Sequence, residues 1–168
     1  MRARVPFSIV TSLATVMILA IAYGATSGFS TPAMYSPLMA TCCLALSSPD
    51  SQFSTARAIA GGYGLAIAAG LAASLSMQPS LFEAAIVVGA TILAMNVTGF
   101  LHPPAAGVPI LMTLGRVSNA SALIVWGAGI AIVLCCSCLF RSFLATFGQP
   151  AEFCNNRPES DISRSPQE

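Results

Sequence analysis

The chain has little charge, no lysine, one histidine and one tryptophan. Charged residues make up 8% of it, against roughly 25% in a soluble domain. Mean hydropathy is +0.78. Such a chain cannot cover a water-facing surface, so an integral membrane protein is expected, with the lipid bilayer as its first partner. The basic residues are seven arginines, and the net charge is +1. No basic run and no aromatic–basic interleaving occurs, which excludes the usual nucleic-acid footprint.

A single histidine also limits the chemistry. It cannot supply the usual ligand set of a metal or haem site. Cys42, Cys43, Cys135, Cys136 and Cys138 lie in apolar runs. Adjacent and one-apart positions on a helix do not share a face, so they read as small packing residues. Cys154 reads as a free thiol in a polar tail. No metal and no cofactor are expected. An enzyme would need a nucleophile–base pair or clustered ligands. No Cys, Ser or acid stands at a recognisable motif spacing from the histidine, so no enzymatic activity is expected.

What the chain does have is long apolar runs. Phe7 to about Ala25 is uncharged and long enough to span a bilayer, which takes about 20 residues. A signal peptide is the rival reading, because Ala20-Ile21-Ala22 resembles a small-residue cleavage site. The span is preferred, since its counterpart Phe82 to Leu101 lies mid-chain. Ala58 to Met77, Phe82 to Leu101 and Ala120 to Phe140 are the other long segments. Tyr35 to Ser47 and Pro103 to Leu114 are apolar but short. A helix of that length reaches about 20 Å, less than the roughly 30 Å hydrocarbon core. The fold class is therefore an all-α membrane protein with about six hydrophobic segments, four long and two short. Residues 1–6 form an N-terminus, 7–147 the membrane domain, and 148–168 a polar tail whose composition predicts disorder.

The order long, short, long occurs twice, over about 7–77 and 82–147. Ser27-Gly28-Phe29 through Pro32 and Pro37 lines up with Thr98-Gly99-Phe100 through Pro103 and Pro109, with one gap. Gly62-Tyr63-Gly64-Leu65-Ala66-Ile67 resembles Gly127-Ala128-Gly129-Ile130-Ala131-Ile132. These matches point to an internal duplication, with chance similarity of apolar sequence as its rival. Three crossings per copy would insert the second copy upside down, giving two inverted three-helix repeats. With six crossings and the N-terminus inside, Arg2, Arg4, Arg57, Arg141, Arg157 and Arg164 lie inside and Arg116 outside. A re-entrant second short segment would move Arg141 and the later arginines outside. The positive-inside rule favours six crossings. A multi-pass protein of a bacterial inner (plasma) membrane is expected. Its Gly-rich helix faces allow close approach and self-association into a homo-oligomer.

One stretch stands out. Thr98 to Met112 holds His102 and the prolines Pro103, Pro104 and Pro109. The residue before a proline is pushed out of the α region, while a proline suits the first turn of a new helix. The pattern predicts a helix ending near Phe100, a break at His102 and a short helix from about Pro103. Such broken segments at matching positions are the best sequence pointer to a transporter's binding site.

His102-Pro103-Pro104 in this setting resembles the HPP family of integral membrane proteins. A second feature matches: Pro49-Asp50-Ser51, then Arg57, then Gly61-Gly62. The family usually has Asn after that Arg and His after the Gly pair; here Ala58 and Tyr63 stand there. The resemblance implies a multi-span transporter, and some plastid and cyanobacterial members are linked to nitrite transport. A small solute, such as a small anion, is the implied cargo. The residues expected to bind or gate it are His102, Pro103, Pro104, Asn96, Thr98, Thr31, Pro32, Asp50 and Arg57. His102 reads either as a gating, solute-binding or proton-coupling residue or as a helix-end residue bonding a freed carbonyl. Asp50 and Arg57 read as an ion pair or as a vestibule. A membrane scaffold without transport is the alternative function.

Overall fold

The computed structural model describes residues 7–26, 28, 32–76, 80–114 and 119–147. Among them the structure is all helical. The helices are α1 (Phe7–Thr26), α2 (Tyr35–Ser47), α3 (Ala56–Ser76), α4 (Leu81–Thr98), α5 (Val108–Thr113) and α6 (Asn119–Phe147). Short 3₁₀ segments Pro32–Met34, Gln52–Ser54 and Pro103–Gly107 precede α2, α3 and α5. The alternation of long and short segments is as expected from hydropathy. Windows of α1, α3, α4 and α6 are long and apolar enough to cross a membrane. Thr31, Arg116 and the tail lie outside the described residues.

The ends of α4 show how sequence sets the break. Ser80 Oγ accepts from the Glu83 amide at 3.2 Å and donates to Glu83 Oε2 at 2.9 Å. An acid in the first turn also suits the positive end of the helix dipole. At the other end Gly99 adopts φ 71°, a left-handed conformation open to glycine. Its amide donates to Asn96 O, and the Phe100 amide to Met95 O, which is a Schellman stop. The helix therefore ends at Thr98 rather than near Phe100, and a glycine stops it before the prolines act. The prolines shape the connection beyond Gly99. His102 is extended, with φ −134° and ψ 91°, as a residue before proline must be.

The two halves interlock. α3 packs against α4, α5, α6 and the Pro103–Gly107 segment, while α2 packs against α1, α6 and that same segment. Glycines let the short helices approach. A Cβ on Gly70 of α3 would stand 2.7 Å from Met112 Sδ, and one on Gly129 of α6 would stand 2.5 Å from Leu38 Cδ1. Gly64 and Gly127 have open space instead. The core gathers Met34, Leu38, Tyr63, Met95, Val108, Met112 and Trp126. Leu13, Val16 and Met17 of α1 and Phe82, Leu93 and Val97 of α4 are exposed. Apolar faces of that kind suit lipid, since soluble monomers rarely expose such contiguous surface.

The lone tryptophan ties the first break to the last helix. Trp126 is fully buried, and its Nε1 donates to Met34 O at 2.9 Å. Trp126→Phe would leave that carbonyl without this donor, at a cost of about 1–3 kcal/mol. A lower melting temperature in detergent is expected. A parental melting curve would show that the bond contributes nothing.

Candidate functional site

His102 is fully buried at the junction of the two halves. Its ring bridges elements far apart in sequence. Nδ1 lies 2.7 Å from Phe53 O, and Nε2 lies 2.9 Å from Thr41 Oγ1. A carbonyl only accepts, so Nδ1 carries a proton and donates to Phe53. Thr41 Oγ1 also lies 2.9 Å from Tyr63 OH and 2.9 Å from Pro37 O. The rings of Tyr63 and His102 are tilted, with centroids 5.7 Å apart. This is a buried polar cluster from α2, α3 and the two connections. Burial holds the His102 pKa below the ordinary imidazole range, and the bond to Phe53 opposes that shift.

Each neighbour has a reason to be there. The turn before Phe53 is capped by Ser51, whose Oγ accepts from the Phe53 amide at 3.3 Å. Ser54 Oγ adds a bond to Leu44 O at 3.2 Å. Together these hold the Phe53 peptide toward the break. The backbone of the break needs glycines opposite it. A Cβ on Gly62 would sit 2.7 Å from His102 Cβ and 3.1 Å from Phe100 O. One on Gly61 would sit 2.5 Å from Phe100 Cγ. The Arg57 guanidinium lies 5.1 Å from the centre of the same Phe100 ring, a cation–π distance.

The two sequence features that carry the family resemblance are thus one structural site. Pro49-Asp50-Ser51 positions Phe53, the Gly pair admits the break, and His102 joins them. A family model described as "HPP, transmembrane region" matches residues 2–147. The chain belongs to the HPP family. With four long apolar helices among the described residues, this HPP protein is an integral membrane protein. No curated protein and no solved structure matches it.

The other expected site residues are dispersed. Asn96 and Thr98 are exposed and bond back into their own helix, Asn96 Nδ2 to Ile92 O at 2.9 Å and Thr98 Oγ1 to Ala94 O at 2.7 Å. Neither reaches His102's polar cluster. Asn96 instead lines a cleft of about 230 Å³ with Gln52, Phe53, Gly99 and Leu101. That cleft borders His102 through its bonding partner and its chain neighbour. Arg57 lies over Phe100 rather than against Asp50, so the ion-pair reading of these two is replaced by a cation–π contact. Asp50 is exposed in the turn. Pro103 is exposed and Pro104 half-buried, and Pro32 is exposed at the first break. Thr31 lies outside the described residues.

Thr41 and Tyr63 were not legible as site residues. Thr41 sits 61 positions from its partner His102, in a short apolar helix where a threonine draws no notice. Tyr63 did carry a signal, because it follows the Gly pair where the family usually has histidine. Among the described residues, no three His, Cys, Asp or Glu side chains come together.

Proposed function

We propose that this HPP protein moves a small solute across the membrane, with the His102 break as its gate. The observation that carries the reading is the fully buried His102, bonded through both ring nitrogens to the other half of the chain. Halves that slide past one another must break these bonds, and a gate is the kind of contact that can be broken and remade. The cleft behind Phe53 is the approach to it. Arg57 lies over Phe100, whose chain neighbours Gly99 and Leu101 line that cleft, and its charge favours an anion. A small anion such as nitrite is the cargo suggested by the resemblance. No catalytic step is assigned to the chain.

The inverted-repeat reading has support in the packing. Exchanging α1, α2 and α3 with α4, α5 and α6 turns the α1·α2 contact into α4·α5, α1·α6 into α3·α4, and α2·α6 into α3·α5, and all of these pairs pack together. Inverted halves meeting at broken helices suit alternating access.

The deciding experiment is uptake into proteoliposomes from a panel of small anions and neutral solutes. Saturable uptake of a member of the panel is expected. No flux of any solute would favour the scaffold reading, in which the open glycine faces serve association alone. Topology can be checked separately in a background lacking native cysteines. Single cysteines at positions 4, 57 and 141 should be shielded from an impermeant thiol reagent outside intact cells, and one at 116 should react. Strong outside labelling at 141 would sink the six-crossing arrangement in the inner membrane.

A further inference from the structure

The hydrogens around Thr41 cannot satisfy every partner at once. Thr41 Oγ1 has one proton to donate and three polar neighbours: Pro37 O, Tyr63 OH and His102 Nε2. Pro37 O can only accept. Tyr63 OH can donate to Oγ1, which leaves the Thr41 proton for one of two rivals. His102 Nδ1 already donates to Phe53 O. In neutral imidazole Nε2 is therefore an acceptor, and it competes with Pro37 O for the Thr41 proton. In imidazolium Nε2 is a donor, and the conflict disappears. Thr41 then donates to Pro37 O and accepts from both Tyr63 and His102.

We propose that His102 Nε2, Thr41 Oγ1 and Tyr63 OH form a proton-binding site, in which the Thr41 hydroxyl turns between Nε2 and Pro37 O as the proton leaves and arrives. This inference rests on the transport reading and deepens it, because it makes the proton the coupling ion. One proton binds at Nε2 and none is lost elsewhere, so occupancy adds a single positive charge to the junction. Among the described residues, that charge meets no carboxylate. Titratable or charged groups on the elements packed around the ring are Tyr63 and Arg57 of α3, Tyr35, Cys42 and Cys43 of α2, and exposed Asp50 before Phe53. The 103–113 segment carries none, and Glu83 is the one on α4, at its far end. A buried cation without a counter-charge is costly. Protonation therefore disfavours this closed arrangement and favours one that opens the ring to water or to an anion. A ligand shifts a conformational equilibrium by its differential affinity for the two states.

The single histidine makes the test direct, since its imidazole nitrogens give one set of NMR signals. In the parent, the neutral form should be the Nδ1–H tautomer. Thr41→Val keeps the shape but removes the acceptor that the imidazolium needs. The pKa of His102 should fall by about one unit, a roughly tenfold loss of proton affinity. Thr41→Ser should restore it. A parent with Nε2–H in the neutral form would overturn the proposal, whether or not any variant folds. So would a Thr41→Val pKa equal to or above the parental one. Because the titration needs no flux, these failures are distinct from a failure of the transport reading. In proteoliposomes, an imposed pH gradient should drive solute accumulation in the parent. Uptake indifferent to the gradient would leave the transport reading standing and remove the coupling.

Discussion

Gly62→Ala should abolish most uptake and destabilise the protein, while Gly64→Ala, one residue pair along the same helix, should be tolerated. The added Cβ at 62 would stand 2.7 Å from His102 Cβ and 3.1 Å from Phe100 O. Both atoms are fixed to the backbone of the break, so no side-chain rotation relieves the contact. α3 must retreat from the 99–102 connection, and the bonds of His102 to Phe53 and Thr41 lengthen. Overpacking of this kind costs typically about 1–3 kcal/mol. The gain in helix propensity from Gly to Ala, up to about 1 kcal/mol, offsets part of it. At Gly64 nothing lies within 4 Å of the added Cβ, so only the propensity gain remains. Uptake and melting temperature of the two variants, measured side by side, separate the effects. A Gly62→Ala protein as active and stable as the parent would show that the close approach does not matter.

This contrast also shows what a sequence conceals. The glycines of α3 look alike in the chain, and all suggest close helix approach. Only packing reveals that Gly61 and Gly62 receive the break, Gly70 receives α5, and Gly64 faces open space. The helix pattern itself was legible because hydropathy and length report burial in lipid directly. The break was legible too, since Gly99 and the prolines restrict the backbone locally. Its exact start was less so, because a glycine acting as a left-handed stop outranks a proline further on. Long-range partners were the hidden part. Asp50 and Arg57 have opposite charges at close spacing, which suggests a pair, yet the Phe100 ring offers Arg57 a partner from another part of the chain. Asn96 and Thr98 sit near His102 in sequence, but Gly99 turns the chain between them and their helix carries both to an exposed face.

His102→Gln should keep part of the hydrogen bonding yet lose the pH response, and His102→Ala should lose both. In the parent, burial holds the folded pKa below its unfolded value of about 6.5. The sign follows from linkage. A group with a lowered folded pKa binds more protons when unfolded, so stability is full above the unfolded value and is lost as pH falls through the folded one. The parent's melting temperature should therefore fall on acidification below about pH 6.5. Its uptake should change over the same range. Glutamine has no proton to gain there, so both profiles should flatten between about pH 5 and 8. Its amide can still donate to Phe53 O or meet Thr41, and the fold should persist. Alanine leaves Phe53 O and Thr41 without these partners, at about 1–3 kcal/mol for an unsatisfied buried group, and opens a cavity beside Gly62. It should melt well below the glutamine variant at every pH. The decisive data are flux and melting temperature against pH for the parent and both variants. A glutamine variant with parental flux and a parental pH profile would reduce His102 to a residue that only satisfies the carbonyl of Phe53. The gate would then have to be sought elsewhere.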